Sequence, residues 1–191
     1  KYLVYDESDQ MLDDGFYDEC SYMIERVSKD VQIILSSATL TSMVKKFIDK
    51  KIKDFELLNI GQQIPENIIQ EKVYCEIPAK NDLLLKFFTK KKFKRALVFC
   101  NTKDRTISIS EFLNENKFKA RELSGGLKQD ERDNNLNLFK QGRVNILVAT
   151  DVAARGLHIE SVDIIVNYDI PRRHEFYVHR IGRTGRRDKG G

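Results

Sequence analysis

Asn145-Ile146-Leu147-Val148-Ala149-Thr150-Asp151-Val152-Ala153-Ala154-Arg155-Gly156 is the stretch whose reading decides the fold. Four apolar residues run without a polar break and stop at a hydroxyl, a carboxylate and then an arginine before glycine. A run this short, bounded this way, reads as a strand buried on both faces, with polar residues delivered at its carboxyl end. Arg95–Cys100 repeats the design and ends in Asn101-Thr102. Lys119–Leu123 and Ile164–Tyr168 are further strand candidates, and Val73–Ile77 is a fifth. Amphipathic spacing between them predicts helices over Ala79–Thr89, Lys103–Asn114, Lys128–Lys140 and Arg173–Ile181. Such alternation predicts an α/β fold, a parallel sheet flanked by helices on both faces, with ligands at the carboxyl ends of its strands.

The same alternation extends upstream. Tyr2–Tyr5 predicts a short buried strand running into the acidic Asp6–Asp9, then a helix over Phe16–Val27 and a strand at Val31–Leu35 leading into Ser36–Thr39. Thr41–Lys51 has helical spacing, and Phe55–Ile60 suggests another strand. Around Gly61 and Pro65 periodicity fades, as in a linker. The expected organisation is therefore residues 1–60, a linker at 61–72, and a second block at 73–191.

Apolar residues make up 41% of the 191 and charged residues 32%, the balance of a globular chain. No apolar run approaches bilayer length, and the first residues lack a signal-peptide layout. Position 1 is Lys inside a strand-like run, so the amino terminus reads as cut. Cys20, Cys75 and Cys100 show neither metal-site nor disulfide spacing, which favours a reducing, intracellular compartment, cytoplasmic or nuclear. The net charge of +4 is uneven: residues 1–60 carry 8 basic and 12 acidic side chains, the remainder 25 and 17. A cationic second half attracts polyanions through its long-range field.

Several short constellations carry chemistry. Asp6-Glu7-Ser8-Asp9 follows a strand, where one carboxylate can serve Mg²⁺ and the next can orient a water; the plain alternative is an acidic loop. Ser36–Thr39 follows the next strand and either caps a helix or bridges those carboxylates to a neighbouring domain. Gln129 and Arg132 lie three apart on one helical face. His179-Arg180-Ile181-Gly182-Arg183-Thr184-Gly185-Arg186 sets permanently charged forks between glycines, as an arginine finger on phosphoryl oxygens requires. A basic tail on nucleic acid would not need those glycines.

In this order the segments resemble the DEAD-box RNA helicases of superfamily two. Asp6–Asp9 is similar to the D-E-A-D element, Ser37-Ala38-Thr39 to S-A-T, and Leu97–Thr102 to the fourth motif. Gln129-x-x-Arg132 is similar to the Q-x-x-R element, and Thr150–Gly156 to the fifth motif. His179–Arg186 matches the sixth residue for residue. The resemblance covers essentially the whole chain. It implies one essentially complete carboxy-terminal RecA-like domain, of the P-loop NTPase type, behind the rear part of a first one. ATP and Mg²⁺ are the implied cofactors. RNA is the implied partner, gripped without sequence specificity, with possible protein regulators, no membrane, and a monomer as the working unit. By carry-over, Asp6 holds Mg²⁺, partly through water, and Glu7 orients and deprotonates the attacking water. Arg183 and Arg186 reach the γ-phosphate, and Gly156 joins the nucleotide site. Asp9, Ser37, Thr39, Asp151, Arg155 and His179 couple the domains, while Asn101, Thr102, Gly125, Gln129, Arg132 and Thr150 line the RNA path.

Three substitutions depart from the family pattern: Ser8 for Ala, Ser124 for His, and His158 for an Asp that bonds the ribose. No G-x-x-x-x-G-K-[ST] loop occurs in the 191 residues, so the chain reads as a helicase fragment inactive in ATP hydrolysis by itself. Two other readings are an RNA-clamping module without turnover and a DNA-directed motor.

Overall fold

A computed structural model of the chain describes residues 1–13, 15–59, 68–154, 159 and 162–184. They form two compact units, Lys1–Gln63 and Ile64–Gly191.

In the first unit, β1 (Tyr2–Tyr5) pairs in parallel with β2 (Gln32–Leu35), Tyr5 opposite Leu35. Helices α1 (Ser8–Asp13), α2 (Tyr17–Arg26) and α3 (Ser42–Lys51) complete it. Leu3, Tyr5, Ile33 and Leu35 alternate along the strands onto a small core with Leu12, Cys20, Val44 and Phe47. The opposite face is open: Tyr2 and Val4 are exposed, so β1 is not the fully buried strand its sequence suggests. Thr41 caps α3 by accepting from the Val44 N–H at 3.3 Å, a role the sequence left open for Ser36–Thr39.

The second unit carries a four-stranded parallel sheet in the order β4-β5-β3-β6. Its strands are β3 (Ala96–Phe99), β4 (Ala120–Leu123), β5 (Ile146–Ala149) and β6 (Ile164–Asn167). Every residue of β3 and β5 is buried, as an all-apolar strand between helical layers must be. One face packs on Leu136 and Phe139 of α6 (Gln129–Lys140) and on the short α7 (Asp151–Ala154). The other packs on α4 (Lys80–Lys90) and α5 (Lys103–Glu115) through Leu84, Phe88, Ile109 and Leu113. Phe88 is also the hub of a ring cluster, with centroids 5.6 Å from Phe87, 5.0 Å from Phe93 and 5.8 Å from Phe118. The last helix, α8 (His174–Ile181), follows β6.

Two expected strands do not form. Residues 55–59 and 73–76 are irregular, and Ile77–Ala79 is a single 3-10 turn. Their composition favours strands, but Leu58 and Tyr74 are 75% and 84% exposed and neither segment pairs with a strand among the described residues. Propensity without a partner ladder and a buried face does not make a strand.

Candidate functional site

The strand-end cluster of the first unit is built by a sharp change of direction. Glu7 adopts φ +52°, which ends β1 and lets α1 begin one residue later. Ser8 is then drawn inward: its N–H and hydroxyl both donate to the Ser36 carbonyl, at 2.9 and 3.0 Å. Asp9, 2% exposed, accepts from the Thr39 N–H (2.9 Å) and the Thr39 hydroxyl (2.5 Å), and from the Gln10 N–H (2.9 Å). Ser37 donates its hydroxyl to the Thr39 carbonyl at 2.6 Å. The structure thus brings Asp9, Ser37 and Thr39 together.

Asp6 and Glu7 are treated differently. Asp6 is exposed and Glu7 partly so, and no ion pair among the described residues engages either carboxylate. Asp6 Oδ1 accepts from the Glu7 N–H at 3.0 Å, and exposed hard carboxylate oxygens at a strand end suit Mg²⁺, which keeps several of its waters.

The centre of the second unit's cluster is a residue that the site reading passed over. Arg180, on α8, is 1% exposed. Its Nε and Nη2 donate to the two Asp151 carboxylate oxygens at 2.6 and 2.7 Å. Nη1 donates to Asn167 Oδ1 (3.0 Å) and the Asp169 carbonyl (2.7 Å), and Nη2 also to Asn101 Oδ1 (3.2 Å). The guanidinium carbon stands 4.8 Å from the Phe99 ring centre. One planar cation therefore fixes the residues that follow β3, β5 and β6, the geometry for which a fork is suited and an ammonium is not. A signal was present in the sequence: Asn101 and Asp151, two residues past apolar strands, and Asn167 at the end of another gather oxygen acceptors that require a donor with several N–H groups.

Asn101 is held further, its N–H donating to Asp169 Oδ2 (3.0 Å) and its Nδ2 to the Ile170 carbonyl (3.0 Å). Lys80 pairs with the same Asp169 at 3.0 Å. Asp151, Ala154, Phe176, His179, Arg180 and Arg183 line one small hollow with Phe99. Thr102 caps α5 through the Arg105 N–H (3.2 Å), and Thr150 caps α7 through the Ala153 N–H (3.3 Å). Arg132 donates from Nη2 to the Ala153 carbonyl (2.8 Å), tying α6 to α7, while its buried Nε has no partner among the described residues. Gln129 instead bonds Asp133 on the exposed side of α6. Gly125 is exposed, with open space where a side chain would stand. Arg155, Gly156, His158 and Arg186 lie outside the described residues.

Burial pushes the Glu122 carboxyl on β4 upward, with Lys103 and the Ser124 hydroxyl acting against it. Burial pushes the Cys100 thiol up to about 12, aided by the nearby Asp169. Cys100 is therefore an inert filler beneath the site.

Residues 79–188 match the family model of the helicase conserved C-terminal domain, and residues 1–47 match that of the DEAD/DEAH box helicase. The ATP-dependent RNA helicase DeaD of Haemophilus influenzae is 36% identical over 186 residues, which is 96% of this chain and 30% of that protein. Among solved structures, S. cerevisiae Dbp5 bound to RNA and ADP BeF3 superposes with a TM-score of 0.88 at 32% identity, over 100% of this chain and 51% of that one. A structure of the same protein bound to Gle1 and IP6 gives 0.78 at 32% identity, over 100% of this chain and 50% of that one. The chain thus spans under a third of the curated relative and about half of the solved chains.

Proposed function

This chain belongs to the DEAD-box helicases, as a carboxy-terminal portion with a RecA-like parallel sheet, and on that premise we propose that it serves ATP-dependent local unwinding of RNA or remodelling of RNA–protein complexes. The supporting observation is the split inside Asp6–Asp9: Ser8 and Asp9 are consumed by structure, whereas Asp6 and Glu7 remain available to a ligand.

In this reading Asp6 takes Mg²⁺, in part through water, and Glu7 orients the attacking water and accepts its proton. Bound ATP–Mg²⁺ supplies the phosphoryl group and the Lewis acid that polarises it. The Asp9–Thr39 bond, with Ser37 beneath it, relates the acidic strand end to the next loop, so a shift at one is felt at the other. Arg180 holds Asp151 and the hollow rigid, so that Arg183, with Arg186 beyond it, presents a preorganised guanidinium to developing charge. Gly156 joins the nucleotide site, and Arg155 and His179 act in coupling. Asn101, Thr102, Gly125, Gln129, Arg132 and Thr150 contact the RNA backbone, which carries no base information. Turnover belongs to a protein that also supplies a phosphate-cradling loop, which these 191 residues do not contain. Three free cysteines fit a reducing compartment, and Gle1 beside the yeast relative makes a protein regulator a reasonable partner.

The test uses the whole protein that carries these residues. Glu7→Gln retains ATP and RNA binding while RNA-stimulated hydrolysis collapses, because the shape survives and the base does not. Arg183→Ala lowers hydrolysis on the order of 10³-fold. Wild-type turnover in either variant overturns the assignment at that residue, and stronger stimulation by single-stranded DNA than by RNA of equal length overturns the substrate.

A further inference from the structure

We infer that the amino-terminal edge of the second sheet, opposite the strand ends that carry the site, is a second binding surface for nucleic-acid backbone. The inference extends the RNA reading to a new place on the molecule and rests on it only for the kind of polyanion.

Backbone bonds lace the segments entering the four strands into one row. The Asn145 N–H donates to the Lys119 carbonyl (3.0 Å), the Ala96 N–H to the Asn145 carbonyl (2.8 Å) and the Asp163 N–H to the Arg95 carbonyl (2.9 Å). Phe93 and Phe118 both pack on Phe88, which draws the loops bearing Lys92, Lys94, Lys117 and Lys119 to one place. Helix α6 ends beside them in a turn closed by Gly142 at φ +72°, which sets Lys140 and Arg143 on the same edge.

All six cations are exposed, and no ion pair among the described residues engages any of them. Among the described residues the acidic groups on this edge are outnumbered by these cations. Asp163 is committed to the Lys94 and Arg95 N–H groups at 2.7 and 2.9 Å, Glu71 faces Lys91 at 3.8 Å, and Glu115 is exposed on the last turn of α5. A concentrated field of cationic side chains outside any ion pair among the described residues invites a polyanion with release of its counterions.

The choice of nucleic acid over an acidic protein follows from what the edge lacks. No large hydrophobic side chain is exposed between residues 78 and 151, which carry all six cations; the exposed Val73 and Tyr74 lie outside that span, on the segment that bears Glu71. Protein interfaces draw their affinity from a few buried aromatic or arginine anchors, whereas a phosphate backbone needs only cations at intervals. With the strand-end path holding a single-stranded segment, this edge would take the flank of a longer RNA.

The test is the combined variant Lys92→Gln, Lys94→Gln, Lys117→Gln, Lys119→Gln in the whole protein that carries these residues, its fold checked by far-UV circular dichroism. Fluorescence anisotropy then follows binding of a short RNA, sized for the strand-end path, and of a long one with a duplex flank across a range of KCl. Expected is an unchanged short-RNA affinity, roughly tenfold or more loss for the long RNA at low salt, and a log K against log salt slope shallower by about 0.7 to 0.9 per lost phosphate contact. A matched variant neutralising Lys45, Lys46, Lys50 and Lys53 of the first unit leaves the long-RNA slope as it was. Equal slopes for wild type and the first variant overturn the inference, as does equal loss from the matched variant. Binding of a polyglutamate peptide that the first variant abolishes, with long-RNA binding intact, makes the edge a peptide dock and also overturns it. Failure of the unsubstituted protein to bind either RNA sinks the RNA reading itself.

Discussion

In the first unit a buried carboxylate, Asp9, accepts from both donors of Thr39, thirty positions away; in the second a buried guanidinium, Arg180, is tied to four residues on three strand ends. Thr39 supplies Asp9 with both a backbone and a hydroxyl donor, so that link makes or breaks as a unit, in the manner of a latch. Arg180 spreads its donors over Asn101, Asp151, Asn167 and Asp169, so no single loss releases it. The comparison teaches that the first unit joins two loops through a two-bond joint, whereas the second gathers three strand ends on one guanidinium frame.

The strongest way to break that contrast is Arg180→Met. Removing one partner of a buried ion pair leaves Asp151 uncompensated and is expected to cost about 3–5 kcal/mol. Urea unfolding followed by circular dichroism measures it, the chain having no tryptophan. Arg180→Lys recovers only part, because an ammonium cannot span Asp151 and Asn167 together.

Asp9→Ala is the matching cut in the first unit. It removes the acceptor for two Thr39 donors and is expected to cost about 1.5–3 kcal/mol, hydrogen bonds to a charged group being the stronger kind. A loss equal to that of Arg180→Met erases the distinction between joint and frame. Thr39→Val sharpens it from the other side: the hydroxyl bond goes, the backbone N–H bond stays, and about 1 kcal/mol is lost.

The smallest effect is chemical. At pH 8 an alkylating reagent modifies one thiol of the folded chain, the exposed Cys75, and three in urea, because Cys20 and Cys100 are buried. Burial raises both buried thiols. For Cys100 the folded value of about 12 lies above the usual 9, so the folded state keeps a proton that the unfolded chain loses. Its contribution to stability is complete below pH 9 and drains as pH climbs from 9 towards 12.

Most of the second sheet was legible because an all-apolar run such as Ala96–Phe99 or Ile146–Ala149 has few other fates in a chain this polar. Helices α4, α5, α6 and α8 fall within a residue of their spacing for the same reason. Residues 55–59 and 73–77 misled because strand formation depends on a neighbour that local composition does not reveal. Helix α1 was missed since Asp6–Asp9 reads as loop, and only the left-handed Glu7 shows where the chain turns. At the site, the quoted motifs put weight on Arg183 and Arg186 and gave Arg180 no role. Burial, which no motif records, makes Arg180 the centre.

The conformation of Glu7 has an evolutionary consequence. Glycine occupies positive φ without steric penalty, whereas a side chain with a Cβ does so at some cost in energy. With the role proposed for Glu7, position 7 sets fitness for folding against fitness for work. A lineage freed from the need for this carboxylate would drift towards glycine there, and one that keeps glutamate shows by that retention which of the two demands governs it.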